Sequence, residues 1–491
     1  MKKLTQKNLK ALSDDVAVPQ YDRSKLTPGI IHIGVGNFHR SHQAKYIHDA
    51  LNAGESLSWG ILGAGIMSGD ATLRENLKKQ DWLSSVLVVD QNLQRISVVG
   101  SMIDFLPVQP DDNAALIKAM SLPEIKIVSL TITEGGYFLK SDSNEFDLTH
   151  KDIVHDIHKL GRPRTVFGAI LAALWKRWAH KLPGFTLLSC DNIPGNGDVA
   201  RSAILSMASS IDTEFSKWVE TSVSFPNSMV DRITPRATHK DQIYIYQQYN
   251  FEDSCAVICE PYRQWVLEDK FICGRPALER VGATFTDNIH KYEELKIRIL
   301  NGGHSILAYP AALIGAPYIH EAMQDPLLKA FMRKVIIDDV LPYRTGVDEY
   351  SPRAYLDLIC ERFENPNIAD TVERVCFDGS NKFPKFLVPS MTENVTASRV
   401  PQGLVLTSAL WCRYCAGKTD EGQDIAPNDP IWPALQHAAQ RALEDPKAWL
   451  AQKAIYGNLG QDEGFSKAFE TCLKRLDRFG TAYTIERYLQ A

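Results

Sequence analysis

Residues 29–44 read GIIHIGVGNFHRSHQA. An apolar run that stops in glycines has the form of a buried first strand of a parallel sheet, feeding a phosphate-binding turn. Gly34 and Gly36 supply the first two glycines of the dinucleotide fingerprint, and His39 stands where the third belongs. The two glycines let the backbone approach a pyrophosphate, and the N–H groups of a following helix start, Asn37 and Phe38 among them, can hold it. Arg40 can add a positive charge. A plain strand-to-helix turn with no ligand is the other reading of these residues. His39 and His42 are three apart without an evident third ligand, so no metal is expected there.

Working outward, a second strand is expected over 58–63 (SWGILG). The acidic residue beyond a second strand of this kind takes the ribose hydroxyls and repels a 2′-phosphate. Asp70 is the candidate, favouring NAD over NADP; a helix cap is its alternative role. Residues 84–90 and 95–102 are short β runs, expected as an antiparallel pair inserted in the sheet. IKIVSLTIT at 125–133 reads as a central strand, leading into Thr133, Glu134 and Gly135 at its carboxyl end, where ligands of open α/β sheets sit. An amphipathic helix is expected over 166–180. The strand 185–190 places Asn192 at the mouth of the site, although a residue before Pro194-Gly195 is also a natural turn former. Asp231 ends the β run in MVDRITP at 229–235.

Beyond about residue 286 the β signals fade and helical patterns take over, among them 291–309, 325–339, 403–416, 464–478 and 482–489. The expected organisation is an α/β Rossmann-type domain with inserted antiparallel strands over 1–285, followed by a mostly α-helical domain over 286–491. At 491 residues the chain is too long for one core. A net charge of −5 gives no basic field for nucleic acid. No apolar run is long enough to span a membrane, and MKKLTQKNLKALSDD lacks the apolar core of a secretory leader. The nine cysteines read as reduced thiols of a cytoplasmic protein, with Cys412 and Cys415 packing a core rather than holding zinc.

The second decisive stretch is KYEELKIRILNGGHSILAY, 291–309. Leu295, Ile299, Leu300, Ile306 and Leu307 keep a helical period. Lys296, Asn301 and His304 stand apart from the solvated face. On an α-helix Asn301 lies about 140° and His304 about 80° round from Lys296, so all three can point into one cleft. An amine can be a base, a carboxamide can donate to an oxyanion and an imidazole can hold a hydroxyl. Most lysines and histidines on helices do none of this, so periodicity alone leaves the matter open. DGSNKFPKF at 378–386 reads as a polar loop with exposed lysines.

Taken together, GVGNFHRSHQA at 34–44, SLTITEGGY at 129–137, SCDNIPGNG at 189–197, MVDRITP at 229–235, CEPYRQWVLEDKF at 259–271, Lys296-x4-Asn301-x2-His304 and DGSNKFPKF resemble the polyol-specific long-chain dehydrogenases. The resemblance implies a Rossmann-type domain, a helical domain and a site between them. It also implies metal-free hydride transfer between NAD(H) and a polyol–ketose pair. Lys296 matches that family's general base, Asn192 and Asn301 its alkoxide-steadying amides, and His304 its substrate-orienting histidine. Asp231, Arg374 and Lys382 match positions that contact substrate hydroxyls or a carboxylate. A free lysine titrates near 10.4, so a basic Lys296 requires burial or a neighbouring cation. Glu293, three residues earlier, is a candidate to pass the proton outward, with Glu134 as its rival. Tyr292-x3-Lys296 copies a pair from short-chain dehydrogenases, which use a different glycine turn and a much shorter chain. The 382–386 run resembles family members acting on mannitol more than those reducing fructuronate. D-Mannitol/D-fructose is therefore the expected pair, with D-fructuronate/D-mannonate and D-arabinitol as alternatives and a monomer as the expected state. A nucleotide sensor without catalysis would be expected to lack Lys296, Asn301 or His304, and all three are present.

Overall fold

The computed structural model describes residues 2–90, 94–140, 145–235 and 237–491. They fall into two compact units, Met1–His290 and Lys291–Ala491.

The first unit is built on a five-stranded parallel sheet. Its strands, named here in chain order, are β1 (Pro28–Ile33), β2 (Gly60–Ala64), β3 (Met102–Phe105), β4 (Ile127–Leu130) and β5 (Thr186–Ser189). Their spatial order is β3-β2-β1-β4-β5, the arrangement of a mononucleotide-binding half with its switch point between β1 and β4. Register is set by pairs such as Ile31 with Leu62 on one side and Val128 on the other. The strand sequences are mostly apolar because both faces are covered. Ile31, Ile33, Val128 and Leu187 pack with helices Val166–Ala179 and Asn196–Ile211. Ile30, Ile61, Ile127 and Leu188 face the opposite way, with Ala44, Ile47 and Leu51 of helix Gln43–Asn52. Strand side chains alternate faces, so one run of isoleucines serves two cores.

Two expectations change here, and a third segment gains its assignment. Ser84–Val89 and Gln94–Val99 do pair antiparallel, but in a separate four-stranded sheet with Val16–Ala17 and Val257–Cys259. The helix Val166–Ala179 is buried nearly all round rather than on one face, since Ala169 to Leu174 and Arg177 are all inside. The 259–271 segment holds parts of two strands: Val257–Cys259 belongs to the sheet just named, while Gln264–Leu267 joins Ser228–Asp231 and Thr284–Phe285 in a third.

In the second unit the described elements are helical. Its core gathers Tyr309, Trp411, Trp449 and Tyr456 with Leu295, Ile299, Leu300, Ile306 and Leu307. Cys412 and Cys415 are buried in that core as free thiols. The two C-terminal helical patterns form Glu463–Leu489, broken at Gly480, where φ is +77° and Asp420 receives the Thr481 N–H at 2.7 Å. The segment read as a polar loop is the helix Gly379–Phe386. Its Phe383 is fully buried and stacks on Trp411 at 4.4 Å, which supplies the apolar anchor that its composition obscures. Among the described residues, no helix is long and apolar enough to cross a membrane.

Candidate active site

In the first unit the candidate cofactor residues and the candidate amide Asn192 all follow the carboxyl ends of parallel strands. Gly34 and Gly36 follow β1, Asp70 follows β2, Thr133 to Gly135 follow β4 and Asn192 follows β5. Gly34 has φ +100°, and a Cβ there would overlap the carbonyl of Thr131. That carbonyl belongs to the strand end beside it, and the Thr131 hydroxyl donates to Gly34 O at 2.7 Å. Gly36 differs: a Cβ there would meet only Gly34 O, at 3.9 Å, and one at Gly135 would meet nothing within 4 Å. Space is therefore open over both residues, as a cofactor backbone requires.

The missing third glycine has a physical substitute. His39 lies flat on His32 of β1, with ring centroids 3.5 Å apart and an interplanar angle of 12°. Burial pushes the His32 imidazole down to about 3 and that of His39 well below its usual range, so both rings stack as neutral groups. Helix and strand thus approach through two flat rings where a glycine would otherwise allow it. The charge expected from Arg40 is spent internally. Its guanidinium donates to Asn37 Oδ1 at 2.6 Å, to Gly36 O at 3.2 Å and to Cys255 O, bracing the turn. Phe38 stacks on His42 at 4.8 Å. Asp70 begins a helix and accepts the Met67 N–H at 3.0 Å, so it holds the loop after β2 while lying at the sheet's ligand edge.

The ends of β4 and β5 are clamped together by a residue that sequence reading did not single out. Asp191 accepts the backbone N–H groups of Ile132 at 3.1 Å and Thr133 at 2.8 Å, and the Tyr137 hydroxyl at 2.8 Å. Burial raises its carboxyl above the ordinary range, against the pull of those donors. The clamp holds Thr133 at φ +62°, a conformation costly for a branched residue. It presents Thr133, Glu134 and Gly135 outward, and the next residue along from Asp191 is the exposed Asn192. A carboxylate immediately before the candidate amide was the available signal. Asp231 is buried at the end of Ser228–Asp231, opposite Gln264. Arg232, beside it, donates to Ser41 O at 2.7 Å and so ties this strand to the helix of the glycine turn.

The helix Ile289–Leu295, which lies in the second unit from Lys291 on, runs through a π-helical turn, Lys296–Asn301, into Gly302–Leu313. The expected uninterrupted α-helix is thereby corrected. A π-turn bonds residues five apart, which brings them closer round the helix axis, whereas an α-helix would separate them by about 140°. Lys296 opens this turn and Asn301 closes it, so the irregularity brings the two positions towards one face of the helix. Lys296 is 6% exposed, and Glu293 one turn earlier is likewise 6% exposed. Tyr292 does not partner Lys296 as in the short-chain pattern; its hydroxyl donates to Glu349 at 2.6 Å.

His304 follows on the α-helical side. Its ring stacks on Phe363 at 3.9 Å, and its buried Nε2 has no hydrogen-bond partner among the described residues. Burial pushes its imidazole down to about 3, with Arg374, Arg362 and Lys382 adding to the shift and Asp370 opposing it. His304, Arg374 and Lys382 therefore share one electrostatic neighbourhood. Lys382 donates to Val375 O at 3.2 Å, next to Arg374 in the chain. Arg298, inside the π-turn, donates to the carbonyls of Lys385 and Phe386 and fastens the helix that carries Lys382 to the turn that carries Lys296. Among the described residues no group of three or more His, Cys, Asp or Glu is placed to hold a metal ion.

Residues 28–280 match the mannitol dehydrogenase Rossmann domain, and residues 288–477 match the mannitol dehydrogenase C-terminal domain. The chain belongs to the mannitol dehydrogenase family. It is 52% identical to a mannitol 2-dehydrogenase of Cereibacter sphaeroides, over 98% of this chain and 100% of that one. Among solved structures it superposes on Pseudomonas fluorescens mannitol 2-dehydrogenase in ternary complex with NAD and D-mannitol. The TM-score is 0.92 and the identity 40%, covering 99% of both chains. A substrate-free D-sorbitol dehydrogenase is also similar, at 31% identity and TM-score 0.87, over 98% of this chain and 100% of that one.

Proposed function

We propose that this protein is an NAD-dependent mannitol 2-dehydrogenase that interconverts D-mannitol and D-fructose. The observation that carries the reading is the π-turn. It sets a buried lysine and a carboxamide on one face, one turn before a neutral imidazole, in a family whose members include a mannitol 2-dehydrogenase solved with NAD and D-mannitol. Bound NAD+ would supply the hydride acceptor for C2. The turn after β1, the Thr133–Gly135 segment and Asp70 would hold it, with Gly36 and Gly135 leaving room for its backbone.

Lys296 removes the C2 hydroxyl proton. Asn192 and Asn301 donate to the oxygen left behind, each worth about 3 kcal/mol in such a role. In the reverse direction the same amides polarise the ketone and Lys296 returns the proton. His304, held neutral by burial, can both accept from and donate to a substrate hydroxyl. Asp231, Arg374 and Lys382 bind the remaining hydroxyls. Glu293 is preferred over the exposed Glu134 as the group that passes the proton outward, because it is buried on the same helix as Lys296. A Glu293→Gln enzyme with unaltered proton-release kinetics would remove that role. A cytoplasmic, monomeric enzyme fits this reading.

The direct test mixes the purified protein with NADH and, in turn, D-fructose, D-fructuronate and D-tagatose, following NADH absorbance. The reading expects D-fructose to give the highest kcat/KM. A higher value for D-fructuronate would replace the polyol assignment with a sugar-acid one.

A further inference from the structure

Arg374 is held by a carboxylate with its own consequence for substrate choice. Its Nε donates to Asp370 Oδ1 and its Nη2 to Asp370 Oδ2, both at 2.5 Å. The acid lies inside and the base outside: the Asp370 side chain is 7% exposed and that of Arg374 is 58% exposed. The Nε–Nη2 edge of a guanidinium is a fork that matches one carboxylate in a bidentate pair. Here the protein's own carboxylate occupies it.

We propose that Asp370 is a specificity-determining residue that makes the site select an uncharged polyol or ketose over a sugar acid. This rests on the reading above that Arg374 faces substrate. With Asp370 in place, an incoming carboxylate finds the two-pronged edge taken and a fixed negative charge behind it. A hydroxyl loses little, because the outer guanidinium N–H groups can still donate and a neutral oxygen is not repelled. Discrimination thus comes from an opposing charge as well as from attractive contacts. Lys382 and Arg362 share the neighbourhood of His304 with this pair. Without Asp370, three cations would stand together around the imidazole, the field a uronate prefers. The sequence signal is modest: an acid four residues before an arginine, a spacing that usually marks nothing more than a helix-surface pair.

The test compares wild type, Asp370→Asn, Asp370→Glu and Arg374→Gln, each checked for an intact thermal transition, in NADH-dependent reduction of D-fructose and D-fructuronate at low salt. Asp370→Asn is expected to raise the fructuronate-to-fructose ratio of kcat/KM by about tenfold or more, the scale of one charge-assisted hydrogen bond, mostly through KM for the acid. Asp370→Glu keeps the wild-type ratio. Arg374→Gln lowers the ratio and raises KM for fructose, and it carries the test if Asp370→Asn does not fold. An unchanged ratio in a folded Asp370→Asn enzyme, with KM for fructose raised in Arg374→Gln, overturns the role of Asp370 alone. KM values unchanged for both sugars in Arg374→Gln overturn instead the placement of Arg374 at the substrate.

Discussion

The first unit presents its candidate groups by regular structure. Gly34, Thr133 and Asn192 each stand just past the end of a parallel strand, and neighbouring strands bring them to one edge. The second unit depends on an irregularity. Lys296 and Asn301 share a face because one turn of a long helix is wound with a five-residue step. A sheet edge collects groups from distant sequence and tolerates local variation at each. A π-turn collects groups from adjacent sequence and depends on every residue within it. On the function proposed above, binding of a cofactor belongs to the robust device and proton transfer to the fragile one.

The largest separation of the two is expected from Lys296→Ala. Turnover should fall by about three orders of magnitude, the usual scale for a lost general base, while NADH binding, read by fluorescence titration, stays unchanged. A substantial residual rate near neutral pH would remove Lys296 as the base. Two glycines sharpen the comparison within the first unit. Gly34→Ala forces a Cβ into the Thr131 carbonyl at φ +100° and should cost on the order of 3 kcal/mol of stability. Gly36→Ala has φ −110° and open space, so its melting temperature should hardly move. Its NADH dissociation constant should nevertheless rise about tenfold, or about 1.4 kcal/mol, because the methyl fills the approach to the cofactor.

A smaller effect distinguishes the units by pH. Burial pushes His32, His42 and His48 in the first unit down to about 3, against about 6.5 when unfolded. The unfolded chain binds protons first, so these groups cost stability progressively as pH falls from about 6.5 towards 3. In the second unit His304 acts in the same direction. Burial raises Asp339 to about 6, however, so the folded form binds the proton first and stability rises as pH falls from about 6 towards its unfolded value near 3.9. Asp191 in the first unit acts in the same sense as Asp339, but against three such histidines rather than one, so calorimetry between pH 6 and 4 should show the transition of the first unit dropping more steeply than that of the second. Asp339→Asn should reduce the difference.

This contrast also accounts for what the amino-acid sequence revealed. Strand ends are legible because an isoleucine run stopping at Gly34 or at Glu134-Gly135 announces both strand and turn. The His39 stack was hidden, because its partner His32 lies inside an apolar run and its pairing exists only in space. Arg40 looked like a free charge because the carbonyl of Cys255, more than two hundred residues away, cannot be foreseen. The π-turn left no trace in periodicity: Leu295, Ile299, Leu300, Ile306 and Leu307 satisfy a helical pattern straight through it. Gly379–Phe386 was hidden by its glycine, lysines and proline, since one buried Phe383 carries the packing. Asp191 and Asp370 escaped notice because neither belongs to a pattern that names its partner.

The most direct measurement of the central claim is a double-mutant cycle on Lys296→Ala and Asn301→Ala in mannitol oxidation. If the π-turn brings the amine and the amide to one substrate oxygen, the two act as a unit. The double variant should then be only a few-fold slower than Lys296→Ala alone. A loss equal to the product of the two single losses would mean that the groups act independently, and the π-turn would have no part in catalysis.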